Sequence, residues 1–443
     1  MAEEVIIFLA AFVAVLFLFS LISRRIEGTV LTAPMVFLTA GLLLGPGGID
    51  LVTLTAERAF VLLIAEIALV LTLFSDASRL NLRVLKGSGD LPARLLGIGL
   101  PLTIAAGIVV GVLLFSDLTL LEAGILACLL APTDAALGEA IVSSEKVPLR
   151  IRQALNVEAG LNDGAVIPVL TVLMTIAITE ELQLTPGFWI ISAIVQIGLA
   201  VIVGAMVGLA DGWMVNRAVG NGWMEQTYEW IALMGIAIIA WIFADLLGAS
   251  GFIAAFVAGF FAGAVYQHIV RSLVDFTKAE GEILGHAIFF ILGILSYLLI
   301  QNINLTIALY AVLSLTLVRV LPVAIAIIGT RLGTATVLFL GWFGPRGLAS
   351  IVLLLTVLEE AGTLPGMLTI SLAVMATVTL SVFAHGISAN PAIERYTRYA
   401  ASLHERAPEK EEVPELPGRR GVAIGAVAYD PEEDAGAGGP EMK

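Results

Sequence analysis

Thirteen runs in this chain carry almost no charge. At roughly 17–25 residues, such runs are long enough to cross a hydrocarbon core of about 30 Å as helices. Lipid offers the backbone no hydrogen-bond partners, so segments of this kind have to satisfy themselves as helices. They fall at 5–22, 31–46, 58–75, 94–115, 119–140, 154–178, 187–209, 228–247, 250–268, 281–300, 304–328, 333–357 and 366–389. Only 14% of the 443 residues are charged and 59% are hydrophobic, against about 25% charged in a soluble protein. The expectation is an all-α polytopic membrane protein with one transmembrane domain over 1–399. A short cytoplasmic stretch, 400–443, is rich in Glu, Pro, Gly and Ala and reads as disordered. The first run is too long for a cleavable signal and lacks its charged start, so it reads as a retained helix.

Basic residues orient the runs. Arg24 and Arg25 follow the first run, and Arg79, Arg83 and Lys86 the third. Lys146, Arg150 and Arg152 follow the fifth, Arg217 the seventh, Arg271 and Lys278 the ninth, and Arg331 the eleventh. The even-numbered connections are nearly free of them, with Arg58 the exception. By the positive-inside rule the N-terminus lies outside and the C-terminus in the cytoplasm, in the inner (plasma) membrane. Glu3, Glu4, Asp50, Glu57, Asp117, Glu180, Glu181, Glu359 and Glu360 occupy the opposite set of connections. Solubility and topology account for them; a negative mouth that concentrates cations is the functional alternative.

The two halves echo each other. Ala40-Gly-Leu-Leu-Leu-Gly45 in the second run returns as Ala258-Gly-Phe-Phe-Ala-Gly263 in the ninth. Pro132-Thr-Asp134 in the fifth run has its counterpart in Pro345-Arg-Gly347 of the twelfth, at nearly the same offset. Runs 1–6 and 8–13 then form two six-helix repeats joined by the seventh. They are inverted, because one starts outside and the other inside. Inverted repeats with interrupted helices at matching places point to a carrier that binds its solute at mid-membrane. The glycine pairs themselves read as helix-packing seams.

Pro132 and Pro345 each remove a backbone hydrogen bond and disfavour helix in the residue before. Two broken helices, the fifth and twelfth, can therefore cross at mid-membrane. Their positive N-terminal ends would favour an acid and their negative C-terminal ends a base. Asp134 and Arg346 stand one to two residues past the prolines.

In the sixth run, Asn156-Val-Glu-Ala-Gly-Leu-Asn-Asp-Gly164, Glu158 and Asn162 share one helix face, while Ala159 and Asp163 share another. Asp163 has no basic residue in its own run. Burial disfavours its charged form, so it could hold a proton or trade that proton for a dehydrated monovalent cation. Glu158 is expected to form a buried ion pair, with Arg319 as its best partner. Glu66 either joins this charge network or lies near the outer surface. Asp76 is expected at the cytoplasmic end as an entrance or capping residue. The single cysteine, Cys128, and four scattered histidines make neither a disulfide framework nor a metal cluster.

These residues resemble the monovalent cation/proton antiporter-1 family, the NhaP-type sodium/proton exchangers and their animal relatives. The resemblance rests on Glu158-Ala-Gly-Leu-Asn-Asp-Gly164, Ala131-Pro-Thr-Asp134, Gly344-Pro-Arg-Gly347, Arg319, and His385-Gly386 near Pro391, and covers all thirteen runs. It implies an NhaA-like fold and a homodimer with a dimerisation part and a mobile core that rocks like an elevator. It implies a secondary transporter rather than an enzyme, with no cofactor. Asp163 would be the exchanging carboxylate and Asp134 its neighbour at the crossing, with Thr133 supplying a further oxygen to the ion. Asn162 and Glu158 would orient the site. Sodium is the first expectation for the cation and potassium the alternative. Related exchangers with two adjacent aspartates move net charge; Asn162 in place of one implies electroneutral exchange. Close relatives often carry serine where this chain has Ala159, which cannot coordinate. Either water or the Thr133 carbonyl replaces that ligand, or the ion selectivity differs.

Two other classes fit less well. An intramembrane aspartyl protease also uses two membrane aspartates, but in a Gly-x-Gly-Asp setting, whereas Asp163 follows Gly-Leu-Asn. A passive channel needs no titratable acid. The expected partners are a monovalent cation, protons, the lipid bilayer and a second copy of the chain, with no nucleic acid.

Overall fold

The computed structural model describes residues 2–26, 29–53, 58–79, 90–134, 137–181, 188–266, 269–411 and 413. Glu57, Arg83, Lys86 and the expected tail from residue 414 lie outside the described residues, as do the side chains of Glu3, Arg58, Glu180, Glu181, Arg271 and Lys278.

The first repeat contains α1 (Ala2–Ile26), α2 (Ala33–Leu44) and α3 (Arg58–Ser78). Next comes α4, which runs from Asp90–Arg94 through a π-turn at Leu95–Gly99 into Leu100–Leu114. The fifth helix is split into α5a (Leu120–Leu129) and the short α5b (Glu139–Val142), and α6 (Leu149–Glu181) completes the unit. The connector is α7 (Phe188–Gly220). The second repeat holds α8 (Gln226–Leu246), α9 (Gly251–Val265) and α10 (Ile269–Asn302). It continues with α11a (Leu305–Leu315), α11b (Leu317–Ala326), α12a (Thr334–Trp342), α12b (Leu348–Glu360) and α13 (Met367–Ser402). Among the described residues there is no strand. Among the described residues nine helical stretches are long and apolar enough to span a membrane, and α2, α5a and α9 are shorter apolar helices. With the broken α12, they match all thirteen runs read from the sequence.

Local chemistry explains the breaks and caps. Pro101 has no N–H for the carbonyl four residues back, and just before it Leu100 N–H bonds to Leu95 O, the wider π register. Asn304 caps α11a by accepting the Ile307 N–H at 2.9 Å. The eleventh run, expected as one helix, breaks at Thr316, leaving Arg319 in the first turn of α11b. The thirteenth was expected to stop at 389, ahead of Pro391, yet α13 runs through to Ser402. Buried packing offsets the lost hydrogen bond there: Ile393 and Tyr396 are core residues, and the Tyr396 ring stacks on Phe339 with centroids 4.2 Å apart. Beyond the helix, residues 403–411 stay folded against the bundle, and Glu409 is buried.

The inverted repeat shows in the packing. The α2 glycines lie on α10, where a Cβ on Gly41 would strike Phe290 and one on Gly45 would meet Ile294. The α9 glycines lie in the same way on α3, Gly259 against Phe74 and Gly263 against Ser78. The second helix of each repeat thus packs on the third helix of the other, backbone to backbone, which only residues without a side chain allow.

Candidate functional site

The two broken helices meet through backbone and side chain at once. Past the end of α5a the chain runs non-helically through Pro132, Thr133 and Asp134; past α12a it does so from Phe343 to Gly347. The Asp134 N–H donates to Pro345 O at 2.8 Å, which ties the links together. Arg346 Nη1 donates to the carbonyls of Ala131 and Pro132 at 3.0 and 3.1 Å, just past the C-terminal, electronegative end of α5a. Asp134 Oδ2 accepts the Leu348 N–H at 2.7 Å, the first donor of α12b, whose N-terminus favours a negative charge. Each half-helix end therefore faces a side chain of opposite sign from the other repeat. Arg346 is fully buried.

Gly347 makes that fit possible, because a Cβ there would run into the Asp134 carboxylate. Gly347→Ala is expected to push the carboxylate off Leu348 and destabilise the protein by about 1–3 kcal/mol. Thermal unfolding in detergent measures this against Gly198→Ala in α7, where the new methyl meets open space. Equal melting temperatures for the two variants would show that the crossing is not this tight.

α6 brings the face that carries Asn162 to the crossing. Asn162 Nδ2 donates to Thr133 Oγ1 at 2.6 Å, and both residues are buried. Its Oδ1 is buried with no hydrogen-bond partner among the described residues, which leaves an amide oxygen available to a cation or a proton donor. Asp163, the next residue, is 7% exposed. Gly160, one turn earlier, sits over Asp76: a Cβ there would stand 3.8 Å from the Asp76 Cβ. Asp76 is itself buried, near the end of α3. Thr133, Asp134 and Ala159, together with Leu155, Phe343 and Pro345, line a cavity of about 10 Å³, room for one water-sized occupant.

Glu158, one turn before Asn162 on the same helix, is held by α11b. It takes a bidentate bond from Arg319, Nη1 to Oε1 at 2.5 Å and Nη2 to Oε2 at 2.8 Å, with both side chains buried. Gly344 leaves room for that arginine, since a Cβ there would strike Nε. Glu66 lies elsewhere. It is ten residues before Asp76, about 15 Å along α3, and its charged neighbours are Asp245, Glu359 and Glu360.

Ser381 and His385 complete the frame; the sequence marks His385 only through the resemblance and Ser381 not at all. Ser381 Oγ accepts the Arg346 N–H at 2.7 Å and lies 3.1 Å from His385 Nδ1, while His385 Nε2 lies 2.8 Å from Trp342 O at the end of α12a. Nδ1 also lies 2.9 Å from the Ser381 carbonyl oxygen, and through the Arg346 N–H and the Trp342 carbonyl the two side chains splice the broken twelfth helix to α13. Their i, i+4 spacing on one face was the available signal.

A bundle of inverted repeats, with two crossed and charge-compensated helix breaks beside a buried carboxylate, defines a secondary-transporter architecture. The sodium/hydrogen exchanger transmembrane family model matches residues 9–395, and the chain belongs to that family. The K(+)/H(+) antiporter NhaP2 of Shewanella oneidensis is 25% identical over 368 residues, covering 81% of this chain and 61% of that protein. The K(+)/H(+) antiporter NhaP of Alkalimonas amylolytica is 27% identical over 359 residues, covering 77% of this chain and 59% of its own length. The chain thus spans about half to three fifths of the length of the curated relatives it matches. Among solved structures, the sodium proton antiporter MjNhaP1 from Methanocaldococcus jannaschii at pH 8 superposes with a TM-score of 0.71 at 20% identity. The match covers 86% of this chain and 99% of that one.

Proposed function

We propose that this chain exchanges a monovalent cation for a proton, one for one, with Asp163 holding either. The observation that carries this reading is the buried Asp163 beside the free Asn162 Oδ1, one residue from the hydrogen bond that joins α6 to the crossing. A carboxylate in that place can be neutralised by a proton or by a dehydrated cation, but not by both at once. Exchange follows from that competition if the site opens alternately to the two sides. Thr133 and Asp134 are the further oxygen donors. Asn162 stands where a second acid would add a charge, and an amide does not titrate, which favours electroneutral turnover.

The packing supports the moving parts proposed for this exchange. α2 and α3 lie with α9 and α10, while α4, α5a and α6 lie with α11, α12 and α13. The second group contains the crossing and is the proposed mobile core. The first would form the dimerisation part of a homodimer. The alternation of basic residues supports an N-terminus outside, with the ends of α5b and α11b at the cytoplasm.

Sodium is the first reading for the ion. Potassium is the second, favoured by the names of the two NhaP-type relatives. Everted vesicles holding a pH gradient test both: sodium, potassium or lithium is added and recovery of a quenched pH dye is followed. Dequenching by one of these ions, at a rate independent of an imposed membrane potential, is the expected result. No response to any of them would sink the reading, and a voltage-dependent rate would sink electroneutrality.

A further inference from the structure

The half-helix α12a has no cap of its own. Its N-cap is Gly333, without a side chain to offer. Its counterpart in the first repeat shows the usual solution. α5a opens on a capping box in which Glu122 Oε2 accepts the Thr119 N–H at 2.8 Å and Thr119 Oγ1 accepts the Glu122 N–H at 3.2 Å. At α12a the acid comes instead from far along the chain. Glu409 Oε1 accepts the Gly333 N–H at 2.8 Å and the Thr336 hydroxyl at 3.0 Å, and Glu409 is 2% exposed.

The segment that carries Glu409 is also fastened to α6, the helix of Asp163. Arg150, in the first turn of α6, donates from Nη1 to Pro408 O at 2.7 Å and pairs with Glu411 at 2.6 Å. Gly333 is under the Tyr399 hydroxyl so closely that a Cβ would overlap it, with Glu409 Oε1 3.5 Å away. One short strap thus holds the N-terminal ends of both α6 and α12a, away from the crossing.

We propose that Glu409 is a positioning residue for ion exchange: it caps α12a from a distance and, through that half-helix, sets the crossing at Thr133 and Asp134. This rests on the reading of the crossing as the ion site. α12a is a nine-residue rod, about 13 Å long. One end is held by Glu409; the other leads into the link where His385 contacts Trp342 O and Asp134 N–H bonds Pro345 O. Uncapping the first end frees the rod to fray and tilt, and the link at the second end moves with it.

The test uses the full chain in everted vesicles and reads the cation concentration that gives half-maximal dequenching. Glu409→Ala is expected to raise that concentration about fivefold. Glu409→Gln keeps an acceptor oxygen and should stay within about twofold of wild type. Gly333→Ala, whose methyl would overlap the Tyr399 hydroxyl but meet Glu409 Oε1 only at 3.5 Å, an ordinary contact, drives the α12a end and Tyr399 apart with the carboxylate intact and should shift the concentration the same way. It also carries the test if Glu409→Ala fails to reach the membrane. An unchanged half-maximal concentration in Glu409→Ala or Gly333→Ala, whatever happens to thermal stability, overturns the proposal. A silent wild type would instead sink the antiport reading and this inference with it.

Discussion

Asp163→Asn is expected to reduce cation-driven dissipation of a pH gradient to the level of vesicles without the protein. The substitution is nearly isosteric, so the buried packing around residue 163, which is 7% exposed, should survive. What disappears is the chemistry. An amide neither binds a proton near neutral pH nor offers a full negative charge to a cation, so neither half of the exchange can load. Asp134→Asn separates the two carboxylates. Its amide oxygen can still accept the Leu348 N–H that Asp134 Oδ2 holds at 2.7 Å, so residual exchange is expected there. Vesicle dequenching, normalised to the protein in the membrane, measures both. Wild-type behaviour of Asp163→Asn would remove Asp163 from the centre of the mechanism.

The second large effect concerns stability. Glu158 and Arg319 form a buried bidentate pair. Removing one partner strands the other charge in a low-dielectric interior, at a cost of about 3–5 kcal/mol. Glu158→Ala and Arg319→Ala should each lower the unfolding temperature in detergent markedly. The double variant Glu158→Leu/Arg319→Met should regain much of the loss, because two apolar side chains need no compensation. If the double variant is as unstable as the sum of the singles, the pair is not an isolated unit. The guanidinium would then be holding the α12 break through its contact with Gly344.

Much of the architecture was legible because lipid leaves the backbone so few choices. The thirteen runs, the alternation of basic residues and the glycine motifs all follow from local composition. Helix boundaries were less legible. α7 and α10 extend well past their apolar runs, because a helix that is satisfied within the bilayer can continue into water with polar turns. The break at Thr316 carried no local signal comparable to Pro132 or Pro345.

In the site, Asp134, Arg346, Asn162 and Asp163 stood out as polar residues inside apolar runs. Ser381 did not, and His385 entered only through the resemblance, because a serine and a histidine on one helix face read as ordinary neighbours until the partner backbone arrives. Glu409 had no signal at all. It lies in a stretch whose Glu, Pro and Ala content argues for disorder, and only the bare N-terminus of α12a gives it a place.

Sequence by itself determined the class of fold, because an apolar run of this length must be a helix. It marked the two breaks at Pro132 and Pro345, because proline has no N–H to give, though not the break at Thr316, and Pro391 lies inside an unbroken α13. Only the tertiary structure decided which broken end meets which charge. Arg346 reaches the carbonyls past α5a and Asp134 reaches the first donor of α12b through contacts more than two hundred residues apart in the chain. No local rule selects such partners. Electrostatic compensation between distant helix ends does, once packing has brought them to the same depth.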